Sequence, residues 1–137
     1  MMDTTSPPIG TVMLIDDEEV DQMLYGRIVE RSKHADRIVS FLDAEKALDY
    51  LVADEQPRPD LILLDINMPN MNGFEFLDRL DETMGVGATP TIFLLTTSFD
   101  PRDRNRAERN DLVRGIVQKP LTDLKLGEFR AAVANNP

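Results

Sequence analysis

Asp65 follows directly on Leu61-Ile62-Leu63-Leu64 and is followed by a loop rich in proline, asparagine and glycine, Asn67 to Gly73. An unbroken run of large apolar residues reads as a strand buried on both faces, in the middle of a parallel sheet. Ligand sites in open α/β sheets lie outside the carboxyl ends of the strands. Asp65 stands at that exit and Asp60 at the entry, so only Asp65 is placed for chemistry; the plain alternative is a turn-capping aspartate. Other reactive side chains end other apolar runs. Asp16 and Asp17 follow Val12-Met13-Leu14-Ile15, Thr96 follows Ile92-Phe93-Leu94-Leu95, and Lys119 comes just after Gly115-Ile116-Val117.

If those runs are parallel strands, three carboxylates, a hydroxyl and an ammonium meet at one edge of the sheet. Acids brought together repel and raise one another's pKa, so a cation belongs among them. Oxygen-only ligands, and few of them, suit Mg²⁺, which keeps several waters and works with phosphate oxygens. A metal and an ammonium for the non-bridging oxygens, with a carboxylate nucleophile, are what phosphoryl transfer to an acyl phosphate requires.

The surrounding pattern supplies the elements. Asp16-Asp17-Glu18-Glu19 opens a helix, where carboxylates suit the positive end of the dipole. Val20, Met23, Leu24 and Ile28 keep helical spacing and predict its buried face. Ile38-Val39-Ser40-Phe41 is a less apolar strand suited to a sheet edge, and Asp43 caps a helix whose inward stripe is Ala44, Ala47, Leu48, Leu51 and Val52. Asn72 with Glu75 makes a capping box before Phe74, Phe76, Leu77 and Leu80. Asp100-Pro101 is an N-cap followed by proline at the first helical position. Asp123 begins a last helix with Leu124, Leu126, Phe129, Ala132 and Val133 as its apolar content. Strands alternating with helices on short connections predict a parallel α/β sheet with right-handed crossovers.

The bulk composition narrows the partners. A chain of 137 residues makes one domain, and with no cysteine it has neither a disulfide framework nor a thiolate metal site. A net charge of −10 argues against nucleic acid or an anionic membrane as the principal partner. No apolar run approaches the roughly 18 residues of a membrane span, and the polar N-terminus lacks the regions of a signal peptide. A soluble cytoplasmic protein is expected, with residues 1–9 as a flexible tail and 10–137 as the domain.

Taken together, Leu14-Ile15-Asp16-Asp17-Glu18, Leu64-Asp65-Ile66-Asn67-Met68-Pro69, Met71-Asn72-Gly73, Leu95-Thr96 and Lys119-Pro120 resemble the receiver domain of two-component response regulators, chemotaxis-regulator-like and of the single-domain type. The resemblance runs from about Gly10 to Val133. It implies a flavodoxin-like (βα)5 fold with strand order 2-1-3-4-5. It implies that Asp65 becomes a 4-aspartylphosphate, taking the group from a phosphohistidine of a sensor histidine kinase or phosphotransfer protein in a phosphorelay. Mg²⁺ would be held by Asp17, Asp65 and the Asn67 carbonyl, with Asp16 acting through a metal-bound water. Lys119 would pair with Asp65 and then with a phosphoryl oxygen, and Thr96, chosen over Thr97, would bond another. The resemblance also implies a cis Lys119-Pro120 bond, as is usual in the family. Ile116 stands where the family often carries an aromatic residue that turns inward on activation, so that switch is unavailable here.

Three further features are weighed against their plainer readings. His34, in the polar stretch Arg31 to Asp36, reads as a solvated loop residue rather than a phosphohistidine. Asp21 reads as a helix-surface residue, salt-bridged rather than metal-ligating. Arg102, Arg106 and Arg109 share one helical face, either simply solvated or a docking surface for a downstream protein or a second copy. The expected protein is thus a stand-alone response regulator. It catalyses only its own phosphorylation and dephosphorylation, is not otherwise an enzyme, and signals through the side formed by the fourth helix, fifth strand and fifth helix. The alternative is a phosphorylation-independent receiver acting as an interaction module. A dehalogenase-like hydrolase is disfavoured because Asn67 stands where that chemistry wants a second aspartate.

Overall fold

The structure is a computed structural model that describes residues 6–84, 89–98 and 100–136; residues 1–5 of the expected tail, and Pro137, lie outside the described residues. Strands and helices alternate in the order β1 (Ile9–Ile15), α1 (Glu19–Ser32), β2 (Ala35–Phe41), α2 (Ala44–Val52), β3 (Leu61–Asp65), α3 (Gly73–Met84), β4 (Thr91–Thr96), α4 (Pro101–Glu108), β5 (Val113–Gln118) and α5 (Asp123–Ala134). The strands form one parallel sheet in the order β2-β1-β3-β4-β5.

The apolar runs account for the central position of β1, β3 and β4. Alternate side chains of a strand face opposite sides of the sheet, and both sides are covered. Met13, Ile15, Ile62 and Leu64 pack with the buried residues of α2 and α3. Val12, Leu14, Leu61 and Leu63 pack with Tyr25 and Val29 of α1 and with Leu126 and Phe129 of α5. Each such side chain, fully buried, contributes about 1.5–3 kcal/mol. The less apolar β2 and β5 have no fully buried residue and lie at the two edges.

Local signals start the helices where expected. Asn72 and Glu75 exchange side chain-to-backbone bonds at 2.9 and 3.1 Å, closing the capping box of α3. Asp100 accepts from the Arg102 N–H with Pro101 in the first turn of α4. Asp60 works at the far end of the sheet from Asp65: it accepts from Thr11 N–H at 3.0 Å, and Gly10 leaves room for its carboxylate.

One helix turns differently from the expectation. Val20, Met23 and Leu24 are 60%, 51% and 44% exposed, and α1 instead buries Tyr25 and Val29. The inward side of its first turns is polar. Gln22 Nε2 donates to the carbonyls of Asp16 and Phe41 at 2.9 Å each, tying the ends of β1 and β2 together. Val52 and Leu124 are likewise exposed, while the other residues named for α2 and α5 are buried or half-buried.

Candidate functional site

The parallel register carries the strand ends to one edge. Ile15 pairs with Leu64 and Asp65 with Leu95, so Asp16 and Asp65 leave adjacent strands at the same level. Thr96 pairs with Gln118 and accepts the Lys119 N–H on its carbonyl at 2.7 Å. The β3–α3 loop folds back on itself through Gly73 N–H to the Ile66 carbonyl, 2.9 Å. A Cβ on Gly73 would lie 2.9 Å from the Asp65 carbonyl oxygen, so glycine is what allows α3 to start so close behind Asp65. Lys119 precedes a cis peptide bond to Pro120.

Asp16, Asp17 and Asp65 each offer a carboxylate oxygen, all within 4.8 Å of one another. Asp16 and Asp65 are buried and Asp17 is half-buried. Lys119 reaches into this group, 2.8 Å from Asp16 Oδ2 and 3.6 Å from Asp65 Oδ2. Its third partner is Asp21 Oδ2, also at 2.8 Å. The Asn67 N–H donates to Asp65 Oδ1 at 3.2 Å. Thr96 is buried, its hydroxyl donating to the Ser98 carbonyl at 2.8 Å, whereas Thr97 is exposed.

Burial and like charge act together on the acids. The Asp65 carboxyl is pushed up to about 6, first by burial and then by Asp16 and Asp17, against the pull of Lys119. Asp16 is also raised by burial, although Lys119 and the Glu18 N–H oppose the rise. Burial alone would lower the Lys119 pKa, but its bonds to Asp16 and Asp21 and the charge of Asp65 more than offset this and raise it. The site therefore has unmet negative charge and an all-oxygen donor set, which fits a small hard cation.

The sequence-predicted residues Asp16, Asp17, Asp65, Asn67, Thr96 and Lys119 all come to this edge. Asp21, expected at the helix surface and salt-bridged rather than metal-ligating, is salt-bridged, but its partner is the site lysine. Its position in the first turn of the helix that follows Asp17 was the available signal. His34 is not solvated. It is 4% exposed, with Nε2 2.9 Å from Asp123 Oδ1 and Nδ1 3.3 Å from Arg130 Nη1. The arginines of α4 are exposed but not equivalent: Arg102 pairs with Asp100, and Arg106 lies over the Phe74 ring at 4.3 Å. Ile116 is half-buried and packs against the core on the α2–α3 side.

Residues 12–130 match the response regulator receiver domain family. The chain is 34% identical over 119 residues to the probable methanogenesis regulatory protein FilR2 of Methanothrix harundinacea, covering 83% of this chain and 76% of that protein. It is 29% identical over 107 residues to the response regulator Rcp1 of Synechocystis, covering 75% and 71% of the two chains. The fold superposes on a two-component response regulator from Cytophaga hutchinsonii with a TM-score of 0.87, at 32% identity over 95% of this chain and 100% of that one.

Proposed function

The chain belongs to the response regulator receiver domain family, and on that premise we propose that Asp65 accepts a phosphoryl group from a phosphohistidine of a sensor histidine kinase or phosphotransfer protein. An Asp65 carboxylate oxygen bonds to phosphorus as the donor's P–N bond breaks, and the imidazole nitrogen keeps the electron pair. The supporting observation is the convergence of Asp16, Asp17 and Asp65 within 4.8 Å around a buried lysine. Asp17, Asp65 and the Asn67 carbonyl, with Asp16 beside them, are the groups that would hold Mg²⁺. When bound, the ion neutralises charge on the phosphoryl oxygens.

The chain's own groups do the rest. Lys119 moves from its carboxylates toward a phosphoryl oxygen, which its three N–H donors allow. The Thr96 hydroxyl leaves the Ser98 carbonyl for another phosphoryl oxygen, and so releases the backbone that precedes α4. Val20, Met23 and Leu24, exposed apolar residues on the same helix as Asp21, offer a surface for a protein donor. Arg102, Arg106 and Arg109 on the α4 side offer a basic surface for a downstream protein or a second copy.

The test is intact mass after incubation with Mg²⁺ and acetyl phosphate or phosphoramidate, beside an Asp65→Asn control. One hydroxylamine-labile phosphoryl group on the wild type alone is expected. No label, under conditions that label another receiver, and no beryllofluoride complex would sink the reading in favour of a phosphorylation-independent interaction module.

A further inference from the structure

We propose that Asp21 is a positioning residue of this site, holding the Lys119 ammonium away from Asp65 and so restraining phosphoryl transfer. The proposal rests on the reading of Asp65 as phosphoacceptor. Lys119 has three N–H donors. Two are spent at full strength, on Asp16 and Asp21 at 2.8 Å each, while Asp65 waits at 3.6 Å, outside hydrogen-bonding range. The lysine side chain is only 7% exposed and that of Asp21 25%, so solvent does not screen this pair as it would one on the open surface.

Asp21 differs from the other carboxylates in what relieves its charge. Asp16, Asp17 and Asp65 are the acids whose oxygens are close enough to share one cation, and Asp21 is outside that group. A cation bound there leaves Asp21 still competing for the ammonium. A phosphoryl group arriving on Asp65 adds negative charge and needs Lys119 on one of its oxygens. Asp21 opposes this in two ways: it keeps the ammonium on the α1 side of the site, and its own charge repels the incoming group. The repulsion is lost and the hold on the ammonium weakens when the carboxylate becomes an amide of the same shape, whose oxygen accepts without a charge.

The experiment compares wild type, Asp21→Asn and Asp21→Glu for the initial rate of labelling by acetyl phosphate across a Mg²⁺ series, with melting temperatures alongside. At saturating Mg²⁺, Asp21→Asn should label about two- to tenfold faster, the range set by one partly buried ion pair. Asp21→Glu keeps the charge and should stay near the wild-type rate, which a purely steric role would not produce. A rate equal to or below wild type in an Asp21→Asn protein of unchanged melting temperature overturns the proposal. So does a normal saturated rate reached only at higher Mg²⁺, which would make Asp21 a metal ligand. A crystal structure of Asp21→Asn should show Lys119 Nζ closing on Asp65 Oδ2 to hydrogen-bond distance; an ammonium left at 3.6 Å overturns it too. Absence of label in every protein counts against Asp65 as acceptor, while the Nζ position still decides whether Asp21 positions the lysine.

Discussion

Lys119 Nζ stands 3.6 Å from Asp65 Oδ2, too far for a hydrogen bond, although the two side chains are 7% and 6% exposed, because the ammonium is drawn to Asp16 and Asp21 at 2.8 Å each. Asp65 is therefore a buried carboxylate that has an ammonium beside it but no hydrogen bond from it. Its pKa is pushed up to about 6 from an ordinary 3.8 by burial and by its acidic neighbours.

That upward shift sets a pH dependence. The folded state binds the Asp65 proton more tightly than the unfolded state, so stability falls as pH rises from about 4 to about 6 and the penalty persists above that window. Without Mg²⁺, Asp65→Asn should melt higher than wild type at pH 7.5, with the difference shrinking toward pH 4. Adding Mg²⁺ should raise the wild-type melting temperature more than that of the variant. Equal melting temperatures of the two proteins at pH 7.5 without Mg²⁺ would show that burial of this carboxylate carries no penalty.

Gly73 makes a second prediction, of position rather than charge. An added Cβ would meet the Asp65 carbonyl oxygen at 2.9 Å and Ile66 Cα at 3.1 Å, and both are backbone atoms that cannot turn aside. Gly73→Ala should cost about 1–3 kcal/mol, the range for overpacking a close contact, and slow labelling of Asp65. Urea unfolding beside intact-mass kinetics reads both; a wild-type rate in the variant would mean that the loop absorbs the methyl without moving Asp65.

Much of this site was legible because it rests on local order: apolar runs mark the central strands, and parallel strands must deliver Asp16, Asp65, Thr96 and Lys119 to one edge. The misreadings have a common cause. Counting apolar residues gave α1 the face of Val20, Met23 and Leu24, but its first turns look inward with Asp21 and Gln22, which bond Lys119 and the strand carbonyls. A polar residue that earns its burial through hydrogen bonds has no signature in a hydrophobic pattern. His34 is the extreme case, since its partner Arg130 lies 96 positions away in the chain.

His34 itself yields a third prediction. Its Nδ1 faces an Arg130 N–H and its Nε2 faces the Asp123 carboxylate, so the ring is satisfied when the proton sits on Nε2 and Nδ1 accepts. Arg130 also donates to the carbonyls of Ser6 and Pro7, so the arginine that meets this ring also ties those two residues to α5. His34→Ala leaves a hole and an arginine short of one acceptor. It should destabilise by about 2 kcal/mol, read as a lower urea midpoint, while Asp65 remains competent for labelling. Unchanged stability would return His34 to an incidental place in the fold.

The choice between Thr96 and Thr97 is the fourth. Thr96 is buried, ends β4, and spends its hydroxyl on the Ser98 carbonyl at 2.8 Å while accepting the Ser98 N–H at 3.3 Å; Thr97 points into solvent. A hydroxyl that must abandon Ser98 to reach a phosphoryl oxygen converts events at Asp65 into backbone movement, and an exposed hydroxyl with no such bond does not. Thr96→Val should still bind beryllofluoride and Mg²⁺, yet the amide signals of Thr97 and Ser98 should no longer shift on binding. Thr97→Val should keep the Ser98 shift of the wild type. If the Ser98 response survives in Thr96→Val and is lost in Thr97→Val, the coupling runs through the exposed hydroxyl, and Thr96 serves only to end its strand.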